Sequence, residues 1–338
     1  MKISPRWFVF AVCLTGALRA EPVPPGARAV LVVDGIKEVR NLPAIVAERL
    51  GYFKDEGLTV TLAELRDEAP TEELLFDGRA DGAVAFYHHT ILSQAEGKLT
   101  EAVITMGGSP GLKVMVANRV KDQIKTVADL KGRIIFTGGA NSGKTTAANW
   151  LFVHAGFSAK DFTGLPLLPR EEMAAALKDG RADAIVAHEP DATYYQAEGV
   201  ASVFVDLTSV AETKKHLGSV FPTTALYMTN AFVAAHPALT QKLVNAFYRS
   251  NQFINTHSAA EILAVLPKEM AGKLQPAAVY ANNLKEDMQM FATDGRLDVA
   301  AATTEWKVMA NYAKKFTGVK IAETYTNEFV DAAARVSK

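Results

Sequence analysis

The string Asp77-Gly78-Arg79-Ala80-Asp81 returns as Asp179-Gly180-Arg181-Ala182-Asp183, and each copy runs into a strand of small apolar residues, 82–85 and 184–187. An Asp-Gly step ends a helix because glycine accepts the left-handed conformation, and a strand follows directly. The surroundings repeat as well. Apolar runs at 29–33, 59–65 and 82–86 alternate with helical patterns at 42–50 and 72–76, and the first helix ends at Gly51. The same order restarts with strands at 133–136, 165–168 and 184–187 and helices at 144–155, ending at Gly156, and 171–177. Asp294-Gly295-Arg296-Leu297-Asp298 repeats the short string outside such a pattern, so the ordered βαβαβ unit carries the inference. Strands and helices alternating at this spacing predict mainly parallel sheets flanked by helices. Two copies predict two lobes, and 338 residues suffice for both.

Further apolar runs at 102–106, 113–117 and 201–205 extend the two sheets, and past Phe221 the pattern turns helical, over 237–255, 261–266, 277–291, 303–316 and 326–336. These helices pack most economically back onto a lobe, so the chain crosses between lobes twice, near 116–120 and 221–228. The expected division is 27–117 with 225–338 as lobe I and 118–224 as lobe II. At the N-terminus, Lys2 and Arg6 precede an apolar run over 7–18, and small residues follow up to Ala20. That is the pattern of a cleavable secretory signal over 1–20, too short to remain as a membrane span. Loss of its three basic residues leaves 33 basic against 37 acidic, net −4, so no basic field points to nucleic acid. Cys13 lies inside the leader, and an exported mature chain then has neither disulfide nor thiolate chemistry.

Several segments together resemble the substrate-binding proteins of ABC importers, in the group that takes up nitrate, sulfonates, taurine and thiamine precursors (SsuA/THI5/NMT1-like). They are Leu42-Pro43-Ala44, the run 48–58, Gly78-Arg79-Ala80-Asp81, the run 127–134, and Ala182 to Pro190, ending His188-Glu189-Pro190. The likeness covers most of residues 28–250. It implies an α/β, two-lobed periplasmic-binding-protein type II fold, a ligand held between the lobes and a permease as partner. Where many relatives have Trp before Glu-Pro, this chain has His188, which removes an aromatic stacking surface.

In open α/β sheets ligands sit beyond the carboxyl ends of the strands. Lobe I then offers the loops 34–41, 86–89 and 107–110, and lobe II offers 137–145 and 188–191. The loop from Thr137 to Thr145 stands between a strand and a helix, where free backbone N–H groups favour an anion. Gly139, Asn141, Ser142 and Thr145 add close approach and donors, and Lys144 adds a charge; alternatively, Ser142 only caps the helix. Gly138 to Thr145 also satisfies G-x-x-x-x-G-K-T, the phosphate-cradling pattern, but an exported chain meets little nucleoside triphosphate. Phe86 and Tyr87 are expected to supply an apolar wall and a hydroxyl, or sheet packing. His88, His89 and His188 lack metal-ligand spacing, so no metal is expected; His88 and His188 are instead ligand-binding candidates, His188 as a hydrogen-bonding group. Arg40, Asn41 and Lys37 follow strand one, and Ser109 and Glu189 complete the candidates. The expected function is periplasmic capture of a small organic anion (sulfonate or carboxylate) or a thiamine-precursor-like heterocycle, by a monomer without cofactor or catalytic residues. The alternatives are an enzyme on the same fold acting on a pyrimidine-type precursor, and a clamp-type sensor.

Overall fold

The computed structural model describes residues 23–36, 38–64, 71–158, 160–268, 270, 277–291 and 294–336. The leader expected over 1–20, with Cys13, and Lys37 lie outside the described residues. The first unit runs β1 (Ala27–Val33), α1 (Leu42–Arg49), α2 (Tyr52–Asp55), β2 (Leu58–Glu64), α3 (Thr71–Phe76), β3 (Gly82–Phe86), α4 (His88–Ala95) and β4 (Thr100–Thr105). The second runs β5 (Leu112–Ala117), β6 (Ile134–Phe136), α5 (Gly143–His154), β7 (Thr163–Leu165), α6 (Arg170–Asp179), β8 (Ala184–Ala187), α7 (Asp191–Ala197), β9 (Ala201–Leu207) and α8 (Val210–Leu217). The chain then returns through β10 (Thr224–Thr229), α9 (Asn230–Ala235), α10 (Pro237–Thr256), α11 (Ala259–Val265), α12 (Ala277–Asp287), α13 (Val299–Tyr312) and α14 (Glu328–Val336).

Two five-stranded sheets result, ordered β2-β1-β3-β10-β4 and β7-β6-β8-β5-β9. The orders are equivalent strand for strand. In each sheet the fourth strand is antiparallel to both neighbours and comes from the other half of the chain: β10 in the first sheet, β5 in the second. Helices on both faces bury the central strands, and β3, β5 and β8 carry no exposed residue. Gly82 on β3 sits in a tight place, since a Cβ would stand 2.9 Å from Leu31 Cδ2 and force that side chain to shift.

Two expectations are corrected here. The strand Leu112–Ala117 belongs to the second sheet, so the first crossing falls at 106–111, before the expected 116–120. The second crossing occupies 218–223. The strand expected at 165–168 instead spans Thr163–Leu165, because Pro166 has no N–H for a ladder and Pro169 leads into α6.

Candidate functional site

The carboxyl ends of β1, β3, β6 and β8 meet where the lobes face each other. The Phe86 ring lies against the first turn of α5: a Cβ on Gly143 would stand 2.7 Å from it. The His88 ring Nε2 is 2.9 Å from the Asn141 carbonyl, and Tyr312 of α13 donates to the Ala140 carbonyl at 2.6 Å. His188 Nε2 lies 3.9 Å from Glu38 across the gap. Between these contacts a narrow cavity is lined by Glu38, Arg40, Gly111, His188, Glu189 and Asp287. It has room for about one water-sized group. A larger cavity of about 630 Å³ lies at the hinge, bordered by both crossings at Gly107, Gly108, Val220 and Pro222.

Arg40 is buried. Its Nε donates to Glu38 at 2.6 Å, one Nη to Asp34 at 3.1 Å, and its guanidinium carbon lies 4.6 Å from the Phe86 ring centre. Burial opposes its charge, but Glu38 and Asp34 more than offset this and raise its pKa. The remaining nitrogen, Nη1, is buried with no partner among the described residues. Lys144 reaches the same gap from α5. Burial lowers its pKa, although Glu38 and Asp191 favour the charge. His188 is held neutral by burial and by the cations Lys144 and Arg40. Glu189 accepts from Lys113 at 2.8 Å and from the Thr193 backbone at 3.0 Å.

Other candidates do not reach the cavity, each for a visible reason. Asn41 is fully buried and its amide donates to the Asp34 carbonyl at 2.5 Å and the Gly35 carbonyl at 2.9 Å, which fixes the β1–α1 loop. Tyr87 points into lobe I, 2.6 Å from the Thr324 hydroxyl. His88 is sealed between lobes, and burial pushes its pKa down to about 3. Ser109 donates to the Leu207 carbonyl at 2.5 Å and so braces the first crossing. Ser142 caps α5 by accepting from the Thr145 N–H, while the Thr145 hydroxyl donates back to Gly139 at 2.9 Å. The Ser142 and Thr145 hydroxyls are thus engaged inside the loop, and the Asn141 and Ala140 carbonyls are held by His88 and Tyr312. Gly139 and Asn141 lie at the exposed rim.

Glu38, Lys113 and Asp287 were missed by sequence reasoning. Lone charges in loops carry no pattern, and Asp287 falls outside the repeated units. Burial, with Glu189 nearby, pushes the Asp287 carboxyl up to about 8, against the pull of Lys113.

Two duplicated α/β lobes joined by exchanged strands, with a charged cleft at their strand ends, define the periplasmic-binding-protein class of fold. Residues 39–260 match the NMT1/THI5-like family model, and the chain belongs to that family. It is similar to a Bordetella bronchiseptica RB50 protein of known structure (28% identity, TM-score 0.78, 93% of this chain and 98% of that one). It also resembles the periplasmic aliphatic sulphonate binding protein SsuA of Escherichia coli (18%, TM-score 0.68, 89% and 91%), which speaks for the fold alone. A curated relative from Aspergillus parasiticus, 25% identical over 86% of this chain and 83% of its own length, is named 4-amino-5-hydroxymethyl-2-methylpyrimidine phosphate synthase. Relatives from Candida albicans (strain WO-1) and Uromyces fabae, at 21% and 24%, carry the same name. The expectation of a chain that is not an enzyme is therefore corrected. Three relatives spanning most of the chain are named for a synthase, and a missing cysteine or Ser/His/Asp pattern never excluded chemistry by other groups. Among the described residues no helix is long and apolar enough to cross a membrane.

Proposed function

We propose that the interlobe cleft captures a small organic molecule, and that the protein acts outside the cytoplasm as the binding component of an ABC importer. The supporting observation is Arg40: a buried guanidinium with one unpartnered nitrogen on a cavity shared by both lobes asks for an oxygen acceptor. Sulfonates, carboxylates and thiamine-precursor-like heterocycles offer that acceptor. The cavity beside Arg40 is too small for any of them, so in this reading entry opens the lobes at the two crossings, a hinge motion. Closure would then form the surface that a permease reads. The expected signal leader and periplasmic location belong to the same proposal, and cell fractionation with N-terminal sequencing tests both.

The names of the fungal relatives favour a second reading, in which the captured molecule is converted in the same cleft. Neutral His188 beside Lys144 and Arg40 supplies a hydrogen-bonding group there. One experiment separates the two readings. The purified protein is incubated with panels of sulfonates, carboxylates and pyrimidines, its melting is followed, and every compound is quantified afterwards by mass spectrometry. Ligand at a hundred times Kd stabilises by about 2.7 kcal/mol. Stabilisation with full recovery supports the importer component, and consumption supports the synthase-like reading. Stabilisation undiminished by Arg40→Ala refutes this cleft as the site.

A further inference from the structure

A buried base and a buried acid that line the interlobe cavity each leave one polar atom without a partner among the described residues. Among the described residues, Arg40 Nη1 and Asp287 Oδ2 make no hydrogen bond, and the two residues are 4% and 3% exposed. Both line the same cavity. Asp287 enters at the end of α12, and acids surround it. Glu189 stands before α7, Asp206 on β9 accepts from Thr208, and Glu286 precedes it on its own helix. The nearby base, Lys113 on β5, is committed to Glu189 at 2.8 Å and to Glu286 at 3.7 Å. Across the cavity, Glu38 is engaged by Arg40 and His188 is neutral. Among the described residues Asp287 makes no ion pair.

We propose that Asp287 determines specificity by receiving a protonated nitrogen of the ligand while Arg40 receives its anionic oxygen, so that the cleft selects compact zwitterions over simple anions. This rests on the capture reading and narrows its ligand class. Ligand-free Asp287 is largely protonated near neutrality, because burial and the acids around it push its carboxyl up to about 8. An arriving ammonium group drives that proton out, so binding releases about one proton below pH 8, and affinity for amine-bearing ligands climbs towards that pH. A simple anion shows no such climb.

Titration calorimetry with two matched pairs tests the assignment: β-alanine against propionate, and 4-(aminomethyl)benzoate against 4-methylbenzoate. At about pH 7 the amine-bearing member of a pair should bind at least about tenfold tighter, with a heat that varies with the buffer's ionisation enthalpy. Asp287→Asn should retain the folded spectrum, bind both members within about twofold and release no proton. Equal or tighter binding of the amine-free member to the native protein overturns the assignment, as does a preference that survives in Asp287→Asn. Both results leave capture standing. Failure of all four compounds to bind, or binding indifferent to Arg40→Ala, sinks the capture reading and this proposal together.

Discussion

A buried carboxyl that no cation neutralises carries a stability signature that does not depend on any ligand. The Asp287 carboxyl is pushed up to about 8 by burial and its acidic neighbours, whereas in the unfolded chain it ionises near its ordinary value, about 4. Between those values the folded state holds a proton that the unfolded state has lost. Folding stability therefore falls as pH rises from about 4 to 8 and is flat beyond, by up to about 4 kcal/mol at pH 7. Asp287→Asn removes the titration. Urea unfolding of both proteins at about pH 5 and pH 8 should show the variant gaining on the native chain at the higher pH. A difference that stays constant with pH would mean that the carboxyl is already paired. Glu305 on α13 is a second buried acid kept neutral by desolvation, a carboxyl oxygen 3.9 Å from His88 Nδ1. Neither acid was legible in the sequence, because an isolated Asp or Glu on a helical pattern reads as a solvated face until packing covers it.

Helix α5 shows how far one element could be read in advance. Its strand–loop–helix setting and its place opposite the β1–α1 loop followed from the repeat, the serine cap was one of two readings of Ser142, and Lys144 stands near enough to Glu38, Asp191 and Arg40 to feel their charges. What the pattern could not give was the occupancy of the loop's donors, since Thr145 and Ser142 satisfy the loop itself before any ligand. Strand β5 failed for a related reason: the buried run Leu112–Ala117 reads identically in either sheet, and only the exchange of β5 for β10 decides its lobe. Gly143 is the element-scale test. Its missing Cβ lets the Phe86 ring close onto the helix, and that ring is already held by Arg40 at 4.6 Å and by the edge of Phe221 at 6.5 Å. Gly143→Ala places a methyl group 2.7 Å from the ring, so closure meets a wall while each lobe keeps its own core. Ligand affinity should fall by about tenfold with little change in unfolded fraction, and scattering of the ligand-saturated variant should stay expanded. Native affinity and compaction would show that the ring yields.

At the scale of the whole molecule the two crossings are not the sole link between lobes. Helix α13 follows β10 and so belongs to the lobe I part of the chain, yet its Val308 lies in the apolar core of lobe II with Phe136, Trp150 and Leu151. Phe86 enters the same core from β3. With Tyr312 on the Ala140 carbonyl, α13 clasps α5 whenever the cleft is shut. Opening must either break that clasp or carry α13 along with lobe II. In both cases the packing of Val308 contributes to the closed state and couples the unfolding of one lobe to the other. Val308→Ala removes two buried methyl groups, which costs about 1–3 kcal/mol including the cavity left behind. Part of that loss falls on the closed state alone, so ligand affinity should drop in step with the closed fraction. Calorimetry should show one cooperative transition in the native protein and a broadened or split one in Val308→Ala. A native protein that already melts in two steps would mean that the lobes are held together by the crossings and the ligand, with α13 riding passively on lobe I.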